Sequence, residues 1–148
     1  MLSIFLAAFL LAASTIWMHA AGVSLLLRYS MRASFQPPTT PFAIRRTLLR
    51  VVWWLLLLHL AAIALRALFY LWRGYLPDVE AAFYFSGVTY TTIGYGDIVL
   101  AKPCRLLAPV EGLVGVLMCG LSMGYFFVVV NRILQGQPQG TPTASGRD

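Results

Sequence analysis

The sequence predicts an all-α membrane protein with three spanning helices and a shorter re-entrant helix between the second and third. Two observations carry this. Hydrophobic residues make up 59% of the 148 and charged residues only 11%, far from the composition of a soluble domain. The apolar residues also gather into three runs long enough to cross about 30 Å of hydrocarbon as helices, and a fourth that is too short. In water, such runs would stay exposed at about 25 cal/mol per Å². A bilayer removes that penalty.

The first run, from Leu2 to Leu27, has no charged side chain and only His19 as an ionisable group. Residues 1–27 are read as a retained transmembrane helix rather than a cleaved signal peptide, because the positively charged leading region is missing and the apolar run is too long. From Arg28 to Thr40 the chain is a polar connector, whose Pro37-Pro38 pair and Thr39-Thr40 interrupt any helix. Thr40 before Pro41 then reads as an N-cap with proline at the first helical position. Arg45, Arg46 and Arg50 follow beside Phe42, Ile44, Leu48 and Leu49. Residues 28–50 are therefore a basic linker and interfacial helix start, with anionic lipid headgroups expected as partners of the three arginines.

The second run extends from Val51 to Trp72 and is interrupted by His59 and Arg66. Arg66 can snorkel to the nearer interface, and a lone histidine on an apolar helix reads as a packed or lipid-facing residue. Trp53 and Trp54 at one end, with Tyr70, Trp72 and Tyr75 at the other, match two interfacial aromatic belts. Gly74, Pro77 and Asp78 punctuate the chain. Val79 to Tyr90 is then helix-compatible but too short to span, so it must be re-entrant. The last run, Leu106 to Val130, is broken only by Glu111 and closes with Asn131 and Arg132. Residues 133–148, rich in Gly, Pro, Gln, Ser and Thr, read as a disordered tail.

The net charge of +6 is distributed by topology. Arg28, Arg32, Arg45, Arg46 and Arg50 share one connecting segment without an acid, while Asp78, Glu80, Asp97 and Glu111 fall later. That pattern points to membrane sidedness rather than nucleic-acid binding. The basic connector should be cytoplasmic, which puts the N-terminus outside the cell membrane and the tail inside; Arg73, Lys102 and Arg105 weaken this bias without reversing it. If their helix is continuous, Cys104 and Cys119 lie about 20 Å apart, too far for an internal disulfide. His19 and His59 fall in separate helices, with no His, Cys or carboxylate cluster at ligand or nucleophile spacing, so neither an enzyme nor a cofactor is expected.

Chemistry concentrates in Thr91-Thr92-Ile93-Gly94-Tyr95-Gly96-Asp97. An extended strand points successive carbonyls to opposite sides; to aim them at one axis the backbone must visit positive φ at intervals, which glycine does at little steric cost. Gly94 and Gly96 alternate with Ile93 and Tyr95 at the spacing this requires. Such a row of oxygens can replace the hydration shell of a dehydrated cation, and Thr92 adds its hydroxyl.

Placed between a short helix and a spanning one, the segment resembles the filter of pore-loop potassium channels, Thr-Val/Ile-Gly-Tyr-Gly-Asp. The resemblance covers roughly residues 51–132 as outer helix, pore helix, selectivity filter and inner helix, and leaves the first helix outside. It implies a K+ channel whose ion sites are formed by Thr92, Ile93, Gly94, Tyr95 and Gly96, with K+ held at Thr92, Ile93, Gly94 and Tyr95. One chain supplies one filter strand, so a homotetramer is implied. The re-entrant helix would aim its C-terminal partial negative charge, near Tyr90 and Thr91, at the cavity beneath the filter. Thr91 leads the filter. Asp97 is expected to be braced by Tyr84 in the pore helix. Val88 stands where some channels place a Glu.

Gly112, Gly115, Gly120 and Gly124 recur along the inner helix, as close-packing residues or as a gating hinge at Gly115 or Gly120. Arg66 and Glu111 should lie at similar depth and are expected to pair, within or between subunits. The first helix has no arginine repeat, so it is no voltage sensor of the usual kind. A nonselective cation channel and a nonconducting pore-loop scaffold or modulatory subunit remain as alternatives.

Overall fold

The computed structural model describes residues 2–31 and 40–136. These form four α-helices: α1 (Leu2–Met31), α2 (Pro41–Trp72), α3 (Val79–Tyr90) and α4 (Leu107–Gln135), the last entered through a 3-10 turn at Cys104–Leu106. No strand occurs among the described residues. Leu2–Arg28, Pro41–Trp72 and Cys104–Gln135 are long and apolar enough to cross a membrane. The chain is a multi-pass membrane protein, and its large exposed apolar side chains, Phe9, Trp17, Leu57 and Phe127 among them, are what lipid would cover.

Local chemistry sets the helix ends. Thr40 caps α2 by accepting a hydrogen bond from the Ala43 amide, with Pro41 at the start. At the far end Gly74 has φ of 66°, the Gly74 amide donates to the Leu71 carbonyl, and the Tyr75 amide donates to that of Tyr70. That is a Schellman motif, which a residue with a Cβ would strain. Asp78 then caps α3 through the Ala81 amide at 2.8 Å.

Two expected boundaries move. The first helix does not stop at Leu27 but continues through Met31, because nothing in Arg28–Met31 breaks a helix once it is propagating. The inner helix likewise runs past Arg132 to Gln135, so the tail cannot start at residue 133. The Pro37-Pro38 interruption and residues 137–148 of the expected tail lie outside the described residues.

The bundle packs in three apolar layers, and α1 reaches all of them. Ile4 and Ala8 join Ala67, Tyr70, Phe85 and Leu107 at one end; Ala12 and Met18 pack against Ala62, Tyr90, Val114 and Met118 in the middle; Val23 joins Val51, Leu55, Tyr125 and Val129 at the other. The buried side chains of α1, Ile4, Ala8, Thr15, His19 and Val23, are spaced four or seven residues apart, in one stripe. Two of the five are polar.

Candidate functional site

The candidate filter begins where α3 ends. The Thr91 amide donates to the Gly87 carbonyl at 3.1 Å, that of Thr92 to Thr89 at 3.0 Å, and that of Gly94 to Val88 at 3.0 Å. The strand is thus tied back onto its own helix. Thr91 Oγ1 adds a bond to the Gly87 carbonyl at 2.7 Å. Thr92, Gly94 and Gly96 have φ of 63°, 52° and 82°, whereas Ile93 and Tyr95 between them do not enter the positive region. This is the alternation required to turn successive carbonyls to one side. The glycines were legible in advance; Thr92 was not. A β-branched residue in the left-handed region is a strained outlier, of the kind that concentrates at functional sites.

Gly94 and Gly96 meet nothing within 4 Å at the position of an added Cβ, so their requirement is conformational rather than spatial. Ile93 and Tyr95 are 55% and 70% exposed in the single chain.

At the far end of the segment, Tyr84 Oη donates to Asp97 Oδ2 at 2.7 Å. The bond holds the Asp97 carboxyl below its ordinary range and raises the Tyr84 phenol. Val88, at the position noted for a Glu in other channels, offers its backbone carbonyl to Gly94 instead.

A carboxylate nevertheless reaches α3, from α4. Glu111 is 1% exposed; its Oε2 accepts from Tyr70 Oη at 2.5 Å, and its Oε1 lies 2.5 Å from Ser86 Oγ and 3.7 Å from Arg66 Nε. Arg66, also 1% exposed, does not snorkel: its Nη1 donates to Thr15 Oγ1 of α1 at 2.6 Å and its guanidinium sits 5.8 Å from the centre of the Tyr90 ring. Of these partners, sequence reasoning had expected only Arg66 and Glu111 to meet; it placed Tyr70 in an interfacial aromatic belt, whereas Tyr70 is fully buried and its hydroxyl is bound to Glu111. Two opposite charges on facing apolar helices announced the pair; Thr15, Tyr70 and Ser86 gave no comparable signal.

The histidines are brought together rather than dispersed. His19 and His59 have ring centroids 4.9 Å apart, and each Nε2 lies within hydrogen-bond distance of Ser122 Oγ, at 2.9 and 3.0 Å. His59 Nδ1 lies 3.0 Å from Tyr90 Oη. Separate treatment of each helix concealed this cluster. Among the described residues, no group of three His, Cys, Asp or Glu side chains is placed to hold a metal ion. Cys104 and Cys119 are both free thiols.

The glycines of α4 divide. A Cβ on Gly115 would collide with the Tyr90 carbonyl, and one on Gly112 would press the Thr89 carbonyl at 3.3 Å, so both serve the close approach of α4 to the end of α3. Gly120 and Gly124 meet nothing within 4 Å in the single chain.

A family model described as ion channel matches residues 48–132, from the first turns of α2 through the filter segment to Arg132 in α4. This chain belongs to that ion-channel family. The family is one of channels, not of enzymes, and the match is consistent with the pore-loop potassium-channel type that residues 91–97 resemble. The matched segment leaves out α1, as the resemblance did. No curated protein and no solved structure matches the chain.

Proposed function

We propose that this chain is one subunit of a homotetrameric, potassium-selective channel of the cell membrane, with α3 as a re-entrant pore helix. K+ is held by the carbonyls of Thr92, Ile93, Gly94 and Tyr95 and by the Thr92 hydroxyl, with Gly96 closing the strand and no further cofactor. The observation that supports this best is the alternation of positive φ at Thr92, Gly94 and Gly96 in a strand tied to the C-terminus of α3. A carbonyl row of that kind, repeated around a four-fold axis, supplies oxygens at a cost close to that of the lost hydration shell. The C-terminal dipole of α3 adds a partial negative charge below it.

The basic connector faces the cytoplasm, the N-terminus lies outside, and Arg45, Arg46 and Arg50 meet anionic headgroups. Arg45 stacks 5.5 Å from the Phe42 ring, an orientation suited to an interfacial position. The test is the reversal potential of the purified protein in a bilayer under opposed K+ and Na+ gradients. A value close to the K+ equilibrium potential is expected. A value near zero makes the pore nonselective, and absence of current in any gradient leaves only a scaffold or modulatory subunit.

A further inference from the structure

The histidine cluster joins four helices at one point. His19 comes from α1, His59 from α2, Tyr90 from the end of α3 and Ser122 from α4, and the hydrogen bonds run His19–Ser122–His59–Tyr90. Tyr90 is 2% exposed, its carbonyl is packed on Gly115, and the candidate filter starts at the next residues. Both nitrogens of His59 are engaged, whereas Nδ1 of His19 is buried and has no hydrogen-bond partner.

Proton counting constrains this chain. The Ser122 hydroxyl has one proton and can donate it to one imidazole while accepting from the other. With both rings neutral, His19 can donate from Nε2 to Ser122, Ser122 to His59 Nε2, and His59 from Nδ1 to Tyr90. His19 Nδ1 is then a bare acceptor, the less costly orphan. A protonated His19 must instead bury an Nδ1–H that has no acceptor.

The surrounding charges offer no relief. Facing the cluster are Arg66 on α2, over the Tyr90 ring, and the Cys119 thiol on α4 beside His59. The nearby acid, Glu111 on α4, is already held by Tyr70, Ser86 and Arg66. A proton on His19 therefore adds positive charge against a second imidazole 4.9 Å away, with no free acid to balance it, and separating α1 from α2 and α4 relieves the contact.

We propose that His19, Ser122 and His59 form a proton-sensitive brace through which α1 positions Tyr90, and with it the foot of the filter, so that acid releases the brace and lowers conduction. The proposal rests on residues 92–97 being the filter. His19, His59 and Ser122 act through Tyr90 and are positioning residues; none touches the ion. α1, which lies outside the matched family segment, thereby becomes a regulatory element of the pore.

The test uses the full-length protein in liposomes, with two readouts between about pH 7.5 and about pH 5.5, the range that brackets an ordinary histidine near 6.5: K+ flux, and hydrogen exchange of α1 corrected for the intrinsic effect of pH. In the wild type, flux falls by about threefold to tenfold and α1 exchange rises, about tenfold being the ceiling that one proton on an ordinary histidine allows over this range. In His19→Gln, whose amide still reaches Ser122 but does not titrate, flux and exchange change by less than about twofold over the same range. His59→Gln is the second variant, with the same expectation, should the first fail to fold. Equal pH profiles in wild type and folded variants overturn the brace, as does a wild type flat in both readouts. A pH-dependent α1 exchange that His19→Gln abolishes, in a protein passing no K+, supports the brace and removes the conduction reading instead.

Discussion

The Tyr84–Asp97 bond shows how much one hydroxyl does at the Asp97 end of the proposed filter strand. It is made to the carboxylate form, so it depresses the Asp97 carboxyl from its ordinary value. A depressed folded value contributes stability that is complete above the unfolded value, near 3.8, and is lost as pH falls through the folded one. Between pH 5 and 8 the contribution is therefore constant, which separates it from any histidine effect. Tyr84→Phe should raise the Asp97 carboxyl toward its ordinary range, read by carbon NMR of labelled aspartate, and should weaken filter order at neutral pH. An unchanged Asp97 titration would mean that the bond does not persist in the bilayer. Gly115 and Gly120 make a second contrast at this scale. Gly115→Ala forces a methyl into the Tyr90 carbonyl and should lower the thermal stability of the assembly by about 1–3 kcal/mol, the usual penalty of overpacking. Gly120→Ala meets no atom within 4 Å and should be close to neutral in stability. If Gly120 is the hinge, its substitution instead changes open probability in single-channel records.

Among the elements, α3 is too short to span a membrane and is held along its length. Its N-terminus is capped by Asp78, its middle is met by Glu111 at Ser86, and Tyr90 at its end is gripped by His59 and backed by Gly115. Arg66 and Glu111 anchor this arrangement from α2 and α4, and Thr15 extends it to α1. A double-mutant cycle on Arg66→Ala and Glu111→Ala should return a coupling of about 0.5–3 kcal/mol in the thermal dissociation of the assembly, as for buried neighbours in one network. Zero coupling would leave Glu111 as a partner of Tyr70 and Ser86 alone. Among the described residues, Thr15 and His19 are the only polar ones on the buried stripe of α1, and each meets a polar group of the matched segment, Arg66 or Ser122. Registry of α1 is fixed by these two contacts, since an apolar stripe alone tolerates sliding by a turn.

For the whole molecule, one chain presents one strand of the proposed filter, with Ile93 and Tyr95 exposed. Enclosing a dehydrated cation takes four such strands around an axis. Native mass spectrometry from detergent should therefore find four copies of the 16.4 kDa chain; a monomer or dimer as the stable species would contradict the proposed pore. The elements themselves were legible from one sequence. Long apolar runs can only be spanning helices, the Thr40-Pro41 and Gly74 signals set the limits of α2, and Val79–Tyr90 emerged with the bounds its polarity and length required. The ends of α1 and α4 were missed because a propagating helix continues through any residue that does not break it.

What the sequence determined by itself was everything governed by local backbone chemistry: the number of spanning runs, the caps, and the glycine alternation at 94 and 96, since those follow from a residue and its near neighbours. Tertiary structure alone decided which polar side chains meet. Thr15, His19, His59, Ser86 and Ser122 each look like an isolated exception in an apolar helix. Only the packing of α1 against α2 and α4 shows that, where water is absent, such groups must find one another.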